Sequence, residues 1–384
     1  MSDILGAIKK QKVRSAAVPP KGTSALEILT STEFSFDDLR VPKVAPEASE
    51  VLSEAGTASL GEKKEKELVK LEENQFLFST VTGGALGKSG KDWVMWKYAE
   101  DHWEEEHRVN IPEIDPFYCW DPDVLEALWL SMITGERALL VGPPGTGKTT
   151  AAQQLSAWIR QPFARFNGKD GIEPAAFLGY AWATKEGMEW KDGLMPQAVQ
   201  HGYFVVVDEV FKLPPGVQMS MQSLYEQGGF LMLDEKPGTI KDKHVYPAPS
   251  FFLCATDNTK GTGDGLDSYA AGQMQDISSL DRFGITQEVN YLSPSAEISM
   301  LAKRYPKVTK ADIKRSVAFA NLVRTSFLQN HDLSLTLSPR GLCVACKLVE
   351  QGVELKDALG LAYVNKLGDD QELQVARKFI SDVI

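Results

Sequence analysis

The chain has 384 residues, 43% of them hydrophobic and 24% charged, which gives room for two or three structural units with a sizeable core. Its formal net charge of −11 argues against unspecific duplex binding, which depends on Lys and Arg neutralising phosphates. No apolar run reaches the ~18 residues of a membrane span, and the first residues hold no apolar stretch of signal-peptide length, so a cytoplasmic protein is expected.

Residues 1–75 are poor in aromatics and rich in Ala, Ser, Pro, Glu and Lys, and an N-terminal region over 1–105 is expected to be mostly flexible. Within it, GEKKEKELVKLEE (61–73) offers little to bury, and ALEILTSTEFSFDDL (25–39) reads either as a docking segment or as a loose tail. KDWVMWKYAEDHWEEEH (91–107) carries three tryptophans and reads as a strand-helix element. Its histidines, His102 and His107, stand at i and i+5, on neither one helix face nor one strand face. They are expected on a solvated helix rather than as ligands.

From about residue 106 the pattern turns globular. Strand-like apolar runs at 137–142, 162–167, 203–208, 251–256 and 286–292 alternate with helical patterns such as 149–160 and 214–227. The alternation predicts an α/β fold, a parallel sheet flanked by helices, over 106–292. After Tyr291 only helical spacing continues, which predicts a helical domain over 293–384. Cys343 and Cys346 form a CxxC there, yet no second pair or nearby His pair completes four zinc ligands. At i and i+3 of an apolar helix they read as small core residues.

The chemistry concentrates at Gly142, Pro143, Pro144, Gly145, Thr146, Gly147, Lys148 and Thr149, a full match to GxxxxGK[ST], with Thr150 following. Glycines let such a loop wrap closely, so that N–H groups and the next helix N-terminus face phosphates. Lys148 then supplies a point charge for the β- and γ-phosphates of ATP, and the Thr149 hydroxyl a ligand for Mg²⁺. The apolar strand FVVVDE (204–209) ends in two acids. Asp208 is expected to hold Mg²⁺ through water and Glu209 to polarise the attacking water.

Three further motifs resemble the AAA+ ATPases, a resemblance that covers about 106–384. CATDN (254–258) ends in Asn258, like the polar sensor near the γ-phosphate; SSLDRFG (278–284) resembles the box that bears an arginine finger; LSPRG (337–341) resembles sensor 2. The resemblance implies that Arg282 reaches a neighbouring subunit's ATP, an effect worth roughly 10³–10⁵ in rate where fingers have been tested. It also implies that Arg340 contacts its own nucleotide, and that the helical domain over 293–384 is a C-terminal lid. Two inserts, FLGYAWATKEGMEWKDGLMPQAV (177–199) and GGFLMLDEKPGTIKDKHVYPAPS (228–250), read as β-hairpins. Hairpins at these places resemble the branch containing the MoxR proteins, magnesium chelatase motor subunits and CobS-type cobaltochelatase subunits. In a ring, the first hairpin would face the channel, with Trp182 and Trp190 either as contacts there or packed onto their own sheet.

The lead-in IPEIDPFYCWDP (111–122) and the Gly-rich stretch at 257–292 are most similar to the CobS group. In this lead-in Pro122 suits a first helical position and Asp121 its cap, while Phe117, Tyr118 and Trp120 either shield adenine or pack against the sheet. The chain departs from that group in its loop, GPPGTGKT without the common His-rich variant, and in its sensor, ATDN rather than ATAN. The resemblance implies an ATP-hydrolysing homo-oligomeric ring, a hexamer, that remodels a partner. In the CobS reading it serves cobalt insertion beside an adhesion-type metal-binding subunit and a large chelatase subunit. A MoxR-like chaperone is the alternative, and a nucleic-acid motor is disfavoured by the acidity.

Overall fold

The computed structural model describes residues 71–168, 174–185, 187–226, 228–258 and 281–384. The segment at 25–39, most of the charged run at 61–73, most of the Gly-rich stretch and Ser278–Leu280 of the finger box lie outside them. The described residues divide into two compact units, one holding those from 71 to Arg304 together with Ser338–Arg340, the other Tyr305–Leu337 with Gly341–Ile384.

Large aromatic side chains fasten the first described residues to the core. Strands β1 (Gln75–Leu77) and β2 (Val94–Trp96) pair antiparallel, with Gln75 opposite Trp96. Phe78 and Met95 are fully buried. Trp96 packs edge-on against Trp129 at 4.3 Å on helix α1 (Pro122–Thr134), and Trp93 Nε1 donates to Glu126 Oε1 of the same helix at 2.8 Å. Trp103 Nε1 donates to the Arg160 carbonyl at 2.8 Å. Residues 71–105, grouped on composition with a mostly flexible region, are therefore built into the core by a few large side chains. In sequence only 91–107 shows this, through its three tryptophans.

The two histidines do not share a solvated helix. The helix is one short turn, Glu105–Arg108. His102 lies outside it and stacks on Tyr98 at 4.7 Å. His107 is largely buried, its Nδ1 2.9 Å from the Tyr203 hydroxyl.

The central sheet has five parallel strands in the order β11-β3-β10-β7-β4. These are β3 (Ala138–Val141), β4 (Phe163–Asn167), β7 (Phe204–Asp208), β10 (Phe252–Asp257) and β11 (Ile285–Glu288). The three central strands, β3, β10 and β7, are buried at every position, as parallel strands covered on both faces must be. Alternate side chains serve opposite faces. Leu139, Val141, Val205, Val207, Leu253 and Ala255 join one apolar cluster. Ala138, Leu140, Phe204, Val206, Phe252 and Cys254 join the other, where Leu155 of α2 (Lys148–Trp158) and Leu125 and Leu128 of α1 meet them.

Both expected hairpins form, β5 (Gly179–Thr184) with β6 (Gly187–Asp192) and β8 (Leu231–Met232) with β9 (His244–Val245). Trp190 packs against the first apolar cluster and donates Nε1 to Asp192 Oδ1 at 2.7 Å, whereas Trp182 is 57% exposed. Helix α3 (Pro294–Arg304) belongs to this unit, so the break falls after Arg304 and not at the expected 292/293. Arg304 explains it, pairing with Asp115 and lying 5.6 Å over the Phe117 ring.

The second unit is helical, with α4 (Lys310–Thr325), most of α5 (Pro339–Glu350), α6 (Leu355–Ala362) and α7 (Asp370–Val383). Ile313, Val317 and Ala320 of α4 recur at helical spacing and are buried, as are Leu359, Ala376 and Ile380. Cys346 is fully buried among them, and none of the four cysteines is in a disulfide. No helix among the described residues is long and apolar enough to cross a membrane.

Candidate functional site

The loop Gly142–Gly147 links β3 to α2, and its glycines have steric reasons. A Cβ on Gly142 (φ +156°) would stand 2.0 Å from the Val289 carbonyl oxygen beside β11. One on Gly145 (φ +76°) would stand 2.5 Å from Ser338 Cβ. Thr146 Oγ1 donates to Pro143 O at 3.0 Å and the Tyr291 hydroxyl to Pro144 O at 2.7 Å, which fixes the loop's curvature. The N-terminus of α2 has no side-chain cap, so its first N–H groups are left for an anion.

Lys148 Nζ is drawn in under the loop, donating to Gly142 O (2.6 Å), Pro143 O (3.0 Å) and Asn258 Oδ1 (2.9 Å). Burial brings its pKa down to about 8, against the opposing pull of Asp257, Asp208 and Glu209. A loop offering backbone donors and a desolvated ammonium suits the phosphates of ATP.

Asp208, 6% exposed, closes β7. Its Oδ1 accepts from Thr149 Oγ1 at 2.6 Å and from Thr256 Oγ1 at 2.9 Å, and its Oδ2 from Arg165 Nε. A hydroxyl and a carboxylate this close are oxygen donors of the kind Mg²⁺ takes beside phosphate. Glu209 follows at φ +50°, a left-handed non-glycine residue of the sort that marks functional turns. That turn aims its carboxylate back at the loop. Oε1 accepts from Asn258 Nδ2 at 3.1 Å, and Oε2 pairs with Lys212 Nζ at 3.1 Å.

The structure thus gathers Lys148, Thr149, Asp208, Glu209 and Asn258 into one knot, with Asn258 bridging the lysine and the glutamate. Arg282 and Arg340 stand outside it. Arg282 pairs with Glu226 of its own chain and donates to Gln222 O at 3.4 Å. Arg340 is exposed in the first turn of α5, two residues beyond the Ser338 that abuts Gly145. Three members were not foreseen. Thr256 lies inside CATDN, two positions from the expected sensor. Arg165 depends on β4 pairing with β7, and Lys212 on the left-handed turn at Glu209; neither fact is local in sequence.

The lead-in ties the flanking helices together. Asp121 Oδ1 accepts from Asp123 N at 2.9 Å with Pro122 opening α1. Asp115 N donates to Gln154 Oε1 at 2.8 Å, and Gln154 Nε2 to Glu113 O at 3.2 Å, which fastens the segment to α2. Tyr118 and Trp120 pack into the apolar cluster, while Phe117 stays 38% exposed.

Comparison with known proteins completes the picture. Residues 137–269 match the AAA domain of the dynein-related subfamily, and residues 297–383 match the CbbQ/NirQ/NorQ C-terminal domain. This chain carries an AAA domain followed by a CbbQ/NirQ/NorQ C-terminal domain. The aerobic cobaltochelatase subunit CobS of a Sinorhizobium species is 29% identical over 277 residues, covering 70% of this chain and 82% of that one. The denitrification regulatory protein NirQ of Pseudomonas aeruginosa is 25% identical over 268 residues, covering 70% and 97%. Among solved structures, Thermotoga maritima RuvB, a Holliday junction branch migration motor, matches at TM-score 0.38 and 16% identity over 71% of this chain and 72% of that one. The AAA match contains the loop, Asp208, Glu209 and Asn258; Arg282 falls between the two matched segments and Arg340 within the second.

Proposed function

We propose that this AAA+ protein binds ATP with Mg²⁺ at the Gly142–Thr150 segment and hydrolyses it as the motor subunit of a CobS-like, ATP-dependent cobalt chelatase in the cytoplasm. The carrying observation is the alignment with CobS over 82% of that protein's length. The knot around Lys148 supports the ATPase part of the reading. The loop N–H groups hold the phosphates, and Lys148 exchanges its carbonyl partners for phosphate oxygens. Thr149 and Asp208 offer the metal their oxygens, and bound Mg²⁺ would neutralise phosphate charge. Glu209 accepts the proton of the attacking water, and Asn258 orients both.

Arg282 takes its role in this reading from assembly, and Arg340 from its place two residues after the Ser338 that abuts Gly145. In a homo-oligomeric ring, a hexamer, Arg282 leaves Glu226 for a neighbour's nucleotide, and Arg340 contacts its own. The partners are an adhesion-type metal-binding subunit and a large chelatase subunit. The test mixes the protein with such subunits, cobalt and a corrin precursor, omitting each in turn and following the absorbance of the metallated ring. ATP-dependent insertion that stops with Glu209→Gln is expected; insertion equally fast without this protein defeats the reading.

One observation favours a second reading. The C-terminal match is to the CbbQ/NirQ/NorQ domain, and the chain covers 97% of NirQ. A MoxR-like chaperone that matures another assembly fits it. Failure with authentic chelatase partners, beside ATP-dependent activation of a different client, would select this alternative.

A further inference from the structure

We propose that Glu104, Glu106 and His107, with His201 beside them, form a site for a divalent transition-metal ion such as Zn²⁺. One ligand atom from each of Glu104, Glu106 and His107 lies within 4.8 Å of the other two. The His201 ring stands 4.1 Å from that of His107. Imidazole with carboxylate is a donor set that zinc and its neighbours accept.

Two acids on an exposed turn would carry nothing by themselves. His107 sets this turn apart. Its side chain is 13% exposed, and its Nε2 is fully buried and has no hydrogen-bond partner. Glu106 Oε1 lies 3.6 Å away, too far for a hydrogen bond in either tautomer. A buried imidazole nitrogen without a partner is costly, and an ion bound between it and the two carboxylates would satisfy it.

The other nitrogen is held as a metal-bound histidine requires. Nδ1 lies 2.9 Å from the Tyr203 hydroxyl, which also takes a hydrogen bond from Asn110 Nδ2 at 3.0 Å. Ion binding at Nε2 takes the tautomer in which Nδ1–H donates to this oxygen, which turns the Nε2 lone pair toward the carboxylates. Glu104 and Glu106 are exposed and free to rotate onto the ion. Tyr203 precedes β7, whereas Asp208 ends it, so about five residues of strand, roughly 17 Å at ~3.3 Å each, separate this site from the nucleotide knot.

The test is calorimetric titration of the full chain with Zn²⁺ in nucleotide-free, Mg²⁺-free buffer, repeated with Co²⁺ to read its visible d–d bands. Wild type should bind one ion. His107→Ala and the pair Glu104→Gln/Glu106→Gln should each abolish that event, and Tyr203→Phe should weaken it about 10-fold through the lost hydrogen bond to His107 Nδ1. Circular dichroism of each variant checks that it is folded, and His107→Gln, which keeps side-chain bulk, is the fallback if His107→Ala is not. Absence of stoichiometric binding overturns the proposal. So does binding that persists in folded His107 variants, or binding lost only in Cys343→Ser/Cys346→Ser.

Discussion

Lys148 shows how one side chain can be legible and still surprising. Its identity and spacing announce a phosphate ligand, yet its pKa near 8 comes from burial beneath the loop, which no motif encodes. The sign follows from which state holds the proton. A bound phosphate keeps the lysine charged, so above pH 8 binding must first take up a proton. ATP affinity should therefore be flat up to about pH 7.5 and fall toward tenfold per pH unit between about 8 and 10. Kd from equilibrium dialysis across that range checks it; a flat profile would mean the ammonium is not what the phosphates meet. Lys148→Ala should remove ATP binding with the fold intact by circular dichroism. Glu209→Gln should bind ATP and lose about 10²–10⁴ in turnover, the usual worth of a general base. Turnover within a few-fold of wild type would place the base elsewhere.

The elements were read unevenly, and for physical reasons. Buried parallel strands are continuous apolar runs, so β3, β7 and β10 stood out in sequence. The hairpins were marked by glycine turns and aromatic alternation. The three-residue strand β1 does not stand out, and β2 does so only as part of the tryptophan-rich 91–107, because their order comes from Trp93, Trp96 and Phe78 finding α1 far along the chain. Glu126 belongs to the same fastening. Burial alone would raise its pKa, but hydrogen bonds from Ser89 and Trp93 outweigh that and hold it below its usual value. Removing residues 1–70 should leave thermal stability little changed. Phe78→Ala, by contrast, should cost about 3–5 kcal/mol by opening a cavity beside α1. Chemical denaturation reads both; a truncation that melts the core, or a neutral Phe78→Ala, would contradict this account of where the fold begins.

At the scale of the molecule, the motifs proposed to work across chains are the ones a single chain leaves apart. Lys148, Asp208, Glu209 and Asn258 meet because strands of one sheet end side by side. Arg282 rests on Glu226 of the same chain, which is intelligible if its destination is another protomer. Arg282→Ala should then keep ATP binding and lose hydrolysis. Mixing it with Lys148→Ala should restore part of the activity, since some mixed interfaces pair an intact finger with an intact loop. Specific activity should climb with protein concentration. Activity indifferent to concentration and to Arg282 would remove the trans arrangement.

The placement of tryptophan has an optical consequence. All eight indoles stand between Trp93 and Trp190, six of them by Trp158, and the helical unit from Tyr305 onward has none. Emission from this protein is therefore a spectroscopic label that nature put on one unit only. Far-ultraviolet ellipticity, by contrast, weights the helices of both. If the two units melt separately, fluorescence will trace one transition where ellipticity traces two, and the difference between the curves will be the unfolding of the helical unit alone.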